Sequence, residues 1–401
     1  MANAYQPRSC SPAASFPIIR LFGRTGRSLK LLFTNFHEGD GGGHTTYVMT
    51  LARALAVRHQ VVVAAAPASR LFREASAASG IAAIAQPFPN GLNRLAARRR
   101  ARRQLGALLR AHRFDLVHVN GSADHRLVLA AVRGLTRRPR IVLTKHNSKP
   151  MTGIGHWWRA RRATDMVIAV CEFTHRALLA SPYRRCQLAT IPNGIDTVHF
   201  SPLAPTAAAY ERQRWVGAAP ALLLGSNAGT ASYKGWMDLV EALALLAPGR
   251  RERVHLLLAG APPSAEAQQR IDTLGLREQV HFAGLLADVR PLLAAIDAGF
   301  VLSWEVETIS FACREMMAMG KPVLVSDYAG LPENIDAGRD GWCVPPRDRS
   351  AMAGRLNQLL DERGDLPLMG LAARRHAERD FGVALFAART EAAYAAVLAR
   401  V

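Results

Sequence analysis

Glu307 and Glu315 are two carboxylates whose spacing suits a ligand that carries both hydroxyl groups and phosphate. A predicted strand ends near Leu302, Glu307 falls in the following loop, and a helix is predicted to begin at about Thr308 or Ile309. Glu315 then lies two turns into that helix, about 10 Å further along the chain. Helix N-terminal amides bind phosphate, and carboxylates accept hydrogen bonds from ribose and sugar hydroxyls. The alternative is a helix-capping Glu307 with a solvated Glu315, so the surrounding motifs must decide.

A lysine and two polar residues precede this pair. Lys234 stands before Gly235 and a predicted helix, where its ammonium can offset the charge of a diphosphate. Ser226 and Asn227 follow a predicted strand and can donate further hydrogen bonds. The alternative for Lys234 is an ordinary surface lysine at a helix start. These residues and the two glutamates predict a nucleotide-sugar site.

The N-terminal half offers a glycine loop and two histidines. Gly42 and Gly43 lead into His44 and a helix predicted over 44–57, so their amides can approach a phosphate, although a tight turn would need the same glycines. His118 and His146 each end a predicted strand, and such ends face the ligand cleft of a parallel sheet. For His118, both an acceptor contact and structural hydrogen bonding remain open.

Short apolar runs that alternate with helical stretches predict an α/β protein with two doubly wound, Rossmann-like domains facing across a cleft. Predicted strands at 29–34, 59–65, 116–119, 141–144 and 166–170 form the first sheet, and those at 221–225, 254–259, 280–283, 298–302 and 322–326 form the second. The predicted boundaries are a flexible leader at 1–28, domains at 29–200 and 201–385, and a terminal helix at 386–401 that packs back on the first domain.

Charge is distributed unevenly along the 401 residues, of which 49% are hydrophobic. Residues 1–200 contain 30 basic and 8 acidic residues, whereas residues 201–401 contain 21 basic and 23 acidic ones. An anionic partner of the first half explains this difference, and an arginine-rich genomic composition is the alternative. The apolar runs are too short to span a bilayer, and the five cysteines form no Cys-x-x-Cys pair. A reducing cytosol is therefore expected.

The strongest concentration of charge is an arginine cluster in a helix predicted within 94–113. It contains five closely spaced arginines, here called the basic patch: Arg98, Arg99, Arg100, Arg102 and Arg103. Such a helix can pack leucines on the sheet and turn its arginines towards an anionic membrane or acceptor, with Trp157 and Trp158 extending the surface. A solvated helix face is the alternative.

Several ordered segments together resemble the retaining glycosyltransferases of family 4. They are Glu315 to Val323 (EMMAMGKPV), 327–335 (DYAGLPENI), 340–346 (DGWCVPP), 163–174 (ATDMVIAVCEFT), 191–196 (IPNGID) and Lys234-Gly235. In that family two glutamates with the spacing of Glu307 and Glu315 bracket the nucleotide sugar. The resemblance covers roughly residues 29–390. The enzymes that the chain resembles include bacterial glycosyltransferases of lipopolysaccharide and glycan assembly.

The resemblance implies the glycosyltransferase B arrangement, with the acceptor on the first domain and the nucleotide sugar on the second. It implies catalytic roles for Glu307, His146 and Lys234, with His146 touching the donor sugar. It places acceptor or phosphate contacts at Gly42, Gly43, His44 and His118, and donor contacts at Glu315, Lys234, Ser226, Asn227, Ile309, Ser310 and Phe282. The chain departs from the family where Gly225-Ser226-Asn227 replaces Gly-Arg-Leu, which removes one phosphate-binding cation.

The sequence therefore predicts a retaining enzyme that moves a sugar from a UDP- or GDP-sugar to a lipid-linked or phosphorylated glycan, by displacement on one face. Neither a cofactor nor a metal is expected, since no Asp-x-Asp occurs. The expected location is cytoplasmic, peripherally attached to the inner face of the membrane, without a nucleic-acid partner. The alternatives are a nucleotide-sugar epimerase or hydrolase of the same fold and a degenerate basic binding protein.

Overall fold

Two parallel sheets organise the chain. The computed structural model describes residues 27–217 and 220–399, so most of the predicted leader and the last two residues lie outside the described residues. The first sheet contains seven strands in the order β3-β2-β1-β4-β5-β6-β7. Its strands are β1 (Lys30–Asn35), β2 (Gln60–Ala65), β3 (Ile81–Ala85), β4 (Leu116–Val119), β5 (Arg140–Lys145), β6 (Met166–Ala169) and β7 (Gln187–Thr190).

The second sheet contains six strands in the order β10-β9-β8-β11-β12-β13. They are β8 (Leu222–Ser226), β9 (Val254–Ala259), β10 (Val280–Gly284), β11 (Ala298–Val301), β12 (Val323–Ser326) and β13 (Gly341–Val344). All named strand pairs are parallel. In both sheets the strand order reverses beside the first strand, and this reversal confirms the predicted doubly wound α/β class.

Helices cover both faces of each sheet. Those of the first domain are α1 (Gly42–Ala56), α2 (Arg70–Ala77), α3 (Leu95–His112), α4 (Ser122–Ala131), α5 (Ile154–Arg162) and α6 (Glu172–Leu179). Those that follow are α7 (Pro205–Val216), α8 (Trp236–Ala244), α9 (Pro248–Arg251), α10 (Ala265–Thr273), α11 (Arg290–Ala295), α12 (Phe311–Ala318), α13 (Arg349–Asp361), α14 (Leu366–Phe381) and α15 (Val383–Leu398).

Alternation along β1 explains how one strand serves two cores. Leu31 and Phe33 belong to the core under α1 and α15, whereas Leu32 belongs to the core under α3 and α4. Successive side chains of a strand point to opposite faces of the sheet, so an uninterrupted apolar run places side chains in the cores on both sides of the sheet. Phe33 lies beside Val63 of β2 and His118 of β4 in the register of the sheet. The sheet thereby fixes the strand ends from which the site is built.

The last helix returns to the first domain. α14 packs against α12 of the second domain, but α15 packs against α1. Phe386, Tyr394 and Val397 of α15 are buried in the same core as Tyr47 of α1. Burial of each such large side chain contributes roughly 1.5–3 kcal/mol, so α15 ties the two domains together.

Three strands were not predicted, and one helix begins later than expected. The missed strands β3, β7 and β13 are short sheet-edge strands of four or five residues, and none of them forms the long apolar run by which the other strands were recognised. α12 begins at Phe311 instead of Thr308 or Ile309, because 304–310 form an irregular loop. Glu315 consequently lies just over one turn into α12, and the expected two turns were wrong.

Candidate active site

A cavity of about 870 Å³ lies between the two domains. It is lined by segments that follow β1 and β4 of the first sheet and β8 and β11 of the second. These are the neighbouring strands at which each sheet reverses its order, and the crevice outside their carboxyl ends is where doubly wound folds bind ligands. The topology of both sheets therefore directs residues to one cleft.

Lys234 and Glu307 form an ion pair on the second-domain wall, with Lys234 Nζ 2.7 Å from Glu307 Oε2. Gly235 makes this position of Lys234 possible. Its φ is 70°, and a Cβ there would lie 2.0 Å from the carbonyl oxygen of Leu302 at the end of β11. Val306, directly before Glu307, also has a positive φ of 54°, an unfavourable conformation for a β-branched residue. The backbone thus holds the pair at the cavity at a conformational cost.

Glu315 and Asn227 form a second contact on the same wall. Asn227 Nδ2 donates a hydrogen bond to Glu315 Oε2. Burial raises the pKa of Glu315 to about 7, and the hydrogen bond from Asn227 opposes this shift. A large fraction of the Glu315 side chains is therefore protonated near neutral pH. The Oδ1 atom of Asn227 is buried without a hydrogen-bond partner in the described part of the chain.

Two helix N-termini meet at the cavity. Ile309 and Ser310 line it immediately before α12, and the Ser310 side chain makes no capping hydrogen bond. From the other domain, Gly42 and Gly43 open α1, and a Cβ on Gly43 would lie 3.5 Å from the Phe311 ring. The first amides of a helix have no partner inside the helix and carry partial positive charge. Both termini can therefore bind anionic groups of a ligand.

Three neutral histidines form the first-domain side of the cavity. The ring of His44 lies 4.7 Å from that of His37 and 4.4 Å from that of His146, centroid to centroid. Burial lowers the pKa of His44 to about 3, lowers that of His37, and holds that of His146 well below its usual value. All three rings are uncharged at neutral pH, so they act as hydrogen-bonding groups and not as cations.

Asn120 orients His146 and was not predicted as a site residue. Its Nδ2 donates to the carbonyl oxygen of Thr34 at 3.0 Å, which leaves Oδ1 to accept from His146 Nε2 at 3.0 Å. The proton of neutral His146 is thereby assigned to Nε2, and Nδ1 keeps its lone pair. Asn120 follows β4 as His146 follows β5, so the position of a polar residue directly after a buried strand was the signal available in the sequence.

The structure brings most of the predicted residues together. The cavity is lined by Gly42, Gly43, His44, His146, Asn227, Lys234, Glu307, Ile309, Ser310 and Glu315. The two domains also touch here directly, because Thr308 Oγ1 donates to the carbonyl oxygen of His146 at 2.9 Å. Residues separated by up to 273 positions in sequence thus share one site, with a phosphate-compatible wall on each domain.

Three predicted residues do not line the cavity. His118 is fully buried beneath it, with Nδ1 2.6 Å from the Tyr394 hydroxyl and Nε2 2.6 Å from Thr144 Oγ1, so it is structural and not an acceptor ligand. Ser226 is buried, and its hydroxyl accepts from the amide of Ala228 at 3.3 Å. Phe282 packs against Trp236 in the second-domain core, because β10 is a sheet edge away from the strand reversal.

The basic patch lies on α3, whose residues Ala101, Leu105 and Leu109 are buried in the first-domain core. Arg98 is half-buried and the other four arginines are exposed. Arg99, Arg102 and Arg103 line a second cavity of about 420 Å³, together with Arg110 and Arg133. In the described ranges, no carboxylate lies within ion-pair distance of the patch arginines, whereas Arg94 at the helix start lies 3.4 Å from Glu38. Trp157 and Trp158 are partly exposed on α5.

One cluster of potential metal ligands exists among the described residues, formed by Asp336, Asp340 and His376. These residues are not in the lining of the interdomain cavity. His376 Nδ1 lies 2.6 Å from Asp340 Oδ2, a contact that holds α14 against the rest of the second domain, and His376 Nε2 lies 3.3 Å from Asp380 Oδ2 within the same helix. In addition, none of the described helices has the length and apolar character needed to cross a membrane.

Family models match both domains. Residues 41–199 match the model described as Glycosyltransferase Family 4, and residues 220–362 match the model Glycosyl transferases group 1. Both matches include residues of the interdomain cavity.

Two mycobacterial relatives cover most of the chain. The chain is 28% identical to the MMP α-(1→4)-mannosyltransferase of Mycolicibacterium hassiacum over 72% of each chain. It is 27% identical to the GDP-mannose-dependent α-(1-6)-phosphatidylinositol monomannoside mannosyltransferase of Mycolicibacterium smegmatis, over 86% of this chain and 93% of that one.

Solved structures show the same architecture. Anabaena HepE in complex with UDP superposes with a TM-score of 0.78 at 20% identity, covering 92% of this chain and all of the other. A glycosyltransferase of Rickettsia africae gives a TM-score of 0.81 at 18% identity, covering 94% of this chain and all of the other. These likenesses show the fold, and the family models and relatives agree with the site motifs: the chain belongs to the family 4 glycosyltransferases and is an enzyme that transfers a sugar.

Proposed function

We propose that this enzyme transfers a hexose from a nucleoside diphosphate sugar to a lipid-linked or phosphorylated glycan, with retention of anomeric configuration and without a metal. One observation carries the proposal. The two predicted carboxylates, Glu307 and Glu315, and the cation Lys234 line one wall of a cavity that His146 lines from the other domain.

The second-domain wall fits the donor. Glu315, just over one turn into α12, and Asn227, directly after β8, supply acceptor and donor groups for a ribose. The free amides near Ser310 serve the diphosphate. Lys234 is paired with Glu307 in the structure. When the donor binds, Lys234 moves to the diphosphate and Glu307 is released to accept from sugar hydroxyls. The name of the smegmatis relative makes GDP-mannose the first donor to test, and the UDP complex of HepE makes UDP-sugars the second.

Catalysis follows from charge stabilisation and positioning. Departure of the nucleoside diphosphate leaves an oxocarbenium-like sugar, and Lys234 with the α12 amides stabilises the negative charge that develops on the leaving phosphate. The acceptor hydroxyl attacks from the face that the phosphate leaves, and a phosphate oxygen takes its proton. His146, oriented by Asn120, holds the sugar through the lone pair on Nδ1. This sequence requires no protein nucleophile and places no metal on the diphosphate.

In this proposal the first domain binds the acceptor and contacts the membrane. The exposed arginines of the basic patch provide attraction to anionic lipid at about 1 kcal/mol for each cation near the surface. A lipid-linked acceptor would then reach the interdomain cavity from the inner face of the cell membrane, with the enzyme attached peripherally from the cytoplasm.

A ligand-stabilisation scan tests the donor. The full chain is melted with GDP, UDP and their common hexose conjugates, with and without chelator, because a ligand at 100 times its Kd stabilises by about 2.7 kcal/mol. We expect one nucleotide sugar to raise the melting temperature selectively and equally in chelator. NMR of the product made from that donor should then show the anomeric configuration of the donor. Inversion, or a shift abolished by chelator, would contradict retention or metal independence respectively.

A further inference from the structure

Among the residues that the structure describes, the first-domain wall of the interdomain cavity carries lysines and no carboxylate. Lys145 and Lys149 line it, and the acidic lining residues, Glu307 and Glu315, both belong to the second domain. Lys145 is the last residue of β5, so its backbone is fixed by the sheet. This lysine pair is separate from Lys234, which serves the donor wall in the proposed function.

Lys145 is only 7% exposed. Its Nζ donates to Asn147 Oδ1 at 2.6 Å and to the carbonyl oxygen of Lys149 at 2.5 Å. An ammonium has three N–H groups, so one remains for a ligand. The loop that these two bonds close brings the side chain of Lys149, which is exposed, to the same end of the cavity.

A buried arginine lies behind this end of the cavity. Arg159 of α5 is only 6% exposed, and its Nε donates to the Tyr183 hydroxyl at 3.3 Å. Across the part of the chain that the structure describes, no carboxylate lies within ion-pair distance of Arg159. A buried cation without a counter-charge is costly, and its positive potential extends to the adjoining cavity.

His156 lies near both Lys145 of the cavity and the buried Arg159. It lines the cavity, and its Nδ1 is buried without a hydrogen-bond partner among the described residues. Burial, followed by the charges of Arg159 and Lys145, lowers the pKa of His156 to about 4. The ring is therefore neutral, and Nδ1 can serve as a donor to an incoming oxygen.

We propose that Lys145, Lys149 and His156 form a subsite for the phosphate group of the acceptor, either a phosphomonoester or a phosphodiester, with Arg159 supporting it electrostatically. The assignment rests on the proposed function, in which the acceptor occupies the first-domain side. A phosphate supplies the counter-charge that the wall lacks and accepts from the free N–H groups of both lysines. The acceptor hydroxyl of the same molecule is then held towards His146 and the donor.

Calorimetric titrations of the full chain test the subsite with three probes. Glycerol 3-phosphate represents a soluble monoester, glycerophosphoglycerol a lipid-headgroup diester, and glycerol the uncharged control. Each titration is run with and without GDP or UDP, which occupy the donor wall. We expect both or one of the phosphoesters to bind, glycerol not to bind, and the nucleotide not to displace the phosphoester.

Two variants and a matched control locate the binding. Charge-assisted hydrogen bonds are strong, so Lys149→Gln should raise the Kd of the bound phosphoester about tenfold. Lys145→Gln should raise the Kd by a similar factor. Because Lys145 is buried, its replacement can also disturb folding, and the variant of the exposed Lys149 separates the loss of binding from such a defect. Arg161→Gln removes one exposed charge from the outer side of α5 and should leave the Kd unchanged.

Three results would overturn the subsite: no binding of either phosphoester, an unchanged Kd in Lys149→Gln, or displacement by the nucleotide. Displacement would place the phosphoester on the donor wall. Failure of the proposed function is a separate result, because it would appear as absence of GDP, UDP and nucleotide-sugar binding in wild-type protein whether or not glycerol 3-phosphate binds.

Discussion

The two walls of the interdomain cavity manage charge in opposite ways. On the second-domain wall, Lys234 is paired with Glu307, and Glu315 accepts from Asn227. On the first-domain wall, the histidines are neutral, and no carboxylate of the described residues lines the cavity beside Lys145 and Lys149. Charged groups that are already paired, such as Lys234 and Glu307, must exchange partners when a ligand binds. Lysines without a carboxylate instead obtain their counter-charge from the ligand. In the proposed function, the second-domain wall is therefore organised before the donor binds, and the first-domain wall obtains its counter-charge from the acceptor.

The comparison predicts that the largest loss of activity follows removal of Lys234, the cation of the second-domain wall. Lys234→Ala should lower kcat by about 100- to 1000-fold, because a single preorganised group that stabilises developing charge contributes that much to catalysis. Steady-state kinetics with the donor found in the scan measures this. Lys321→Ala is unsuitable as a control, since Lys321 holds two buried carbonyl oxygens. Arg161→Gln on the exposed surface is suitable, and an equal loss there would contradict the role of Lys234.

The second prediction separates the basic patch from the cavity. Replacing its five arginines with glutamine should weaken binding to anionic phospholipid vesicles by about 100-fold or more at low salt, at about 1 kcal/mol for each lost cation. Donor affinity should not change, because the patch does not line the interdomain cavity. Vesicle sedimentation and the ligand scan measure the two effects.

A charge-matched control for the patch is available on the second domain. It carries the same substitution at five exposed arginines, namely Arg214, Arg253, Arg277, Arg339 and Arg375. Vesicle binding should survive in this variant. Equal loss in both variants would show that net charge alone, and not the surface of α3, attracts the membrane.

The smallest effect is expected from Glu315→Gln, and it depends on pH. The folded-state pKa of about 7 exceeds the ordinary value of 4.5, so wild-type stability falls as pH rises from about 4.5 to about 7 and then levels off. The glutamine variant lacks this loss and should be more stable by about 2–3 kcal/mol above pH 7. Its donor affinity at pH 8 should nevertheless be about tenfold lower, because a charged hydrogen-bond acceptor for ribose is lost.

Urea denaturation of both proteins across pH 4.5–8 measures the stability difference, and the titration of other groups cancels between them. A constant difference over this range would show that Glu315 is ionised throughout. Unchanged donor affinity in the variant would remove Glu315 from the donor site.

The sequence predicted strands correctly where a local run of apolar residues was the only signal needed. The apolar runs that became β1, β2, β4, β5 and β6 were placed to within a residue or two, because strands buried on both faces need no partner to be recognised. It failed at β3, β7 and β13, whose compositions are ambiguous without their neighbours. His118 and His146 both lie at predicted strand ends, and the sequence left a structural role open for His118. The structure shows that α15, which is remote in sequence, covers His118, whereas His146 lines the cavity.

The sequence by itself determined the α/β class, the two-domain pattern and the chemistry of the second-domain wall. Glu307, Glu315 and Lys234 belong to local motifs whose spacing follows from a strand, a loop and a helix start. Only the tertiary structure decided which first-domain residues meet that wall, that Asn120 orients His146, and that Arg159 and Lys145 are buried without a carboxylate. The physical reason is that burial and charge pairing depend on neighbours distant in the chain, whereas periodicity and helix geometry depend on neighbours a few residues away.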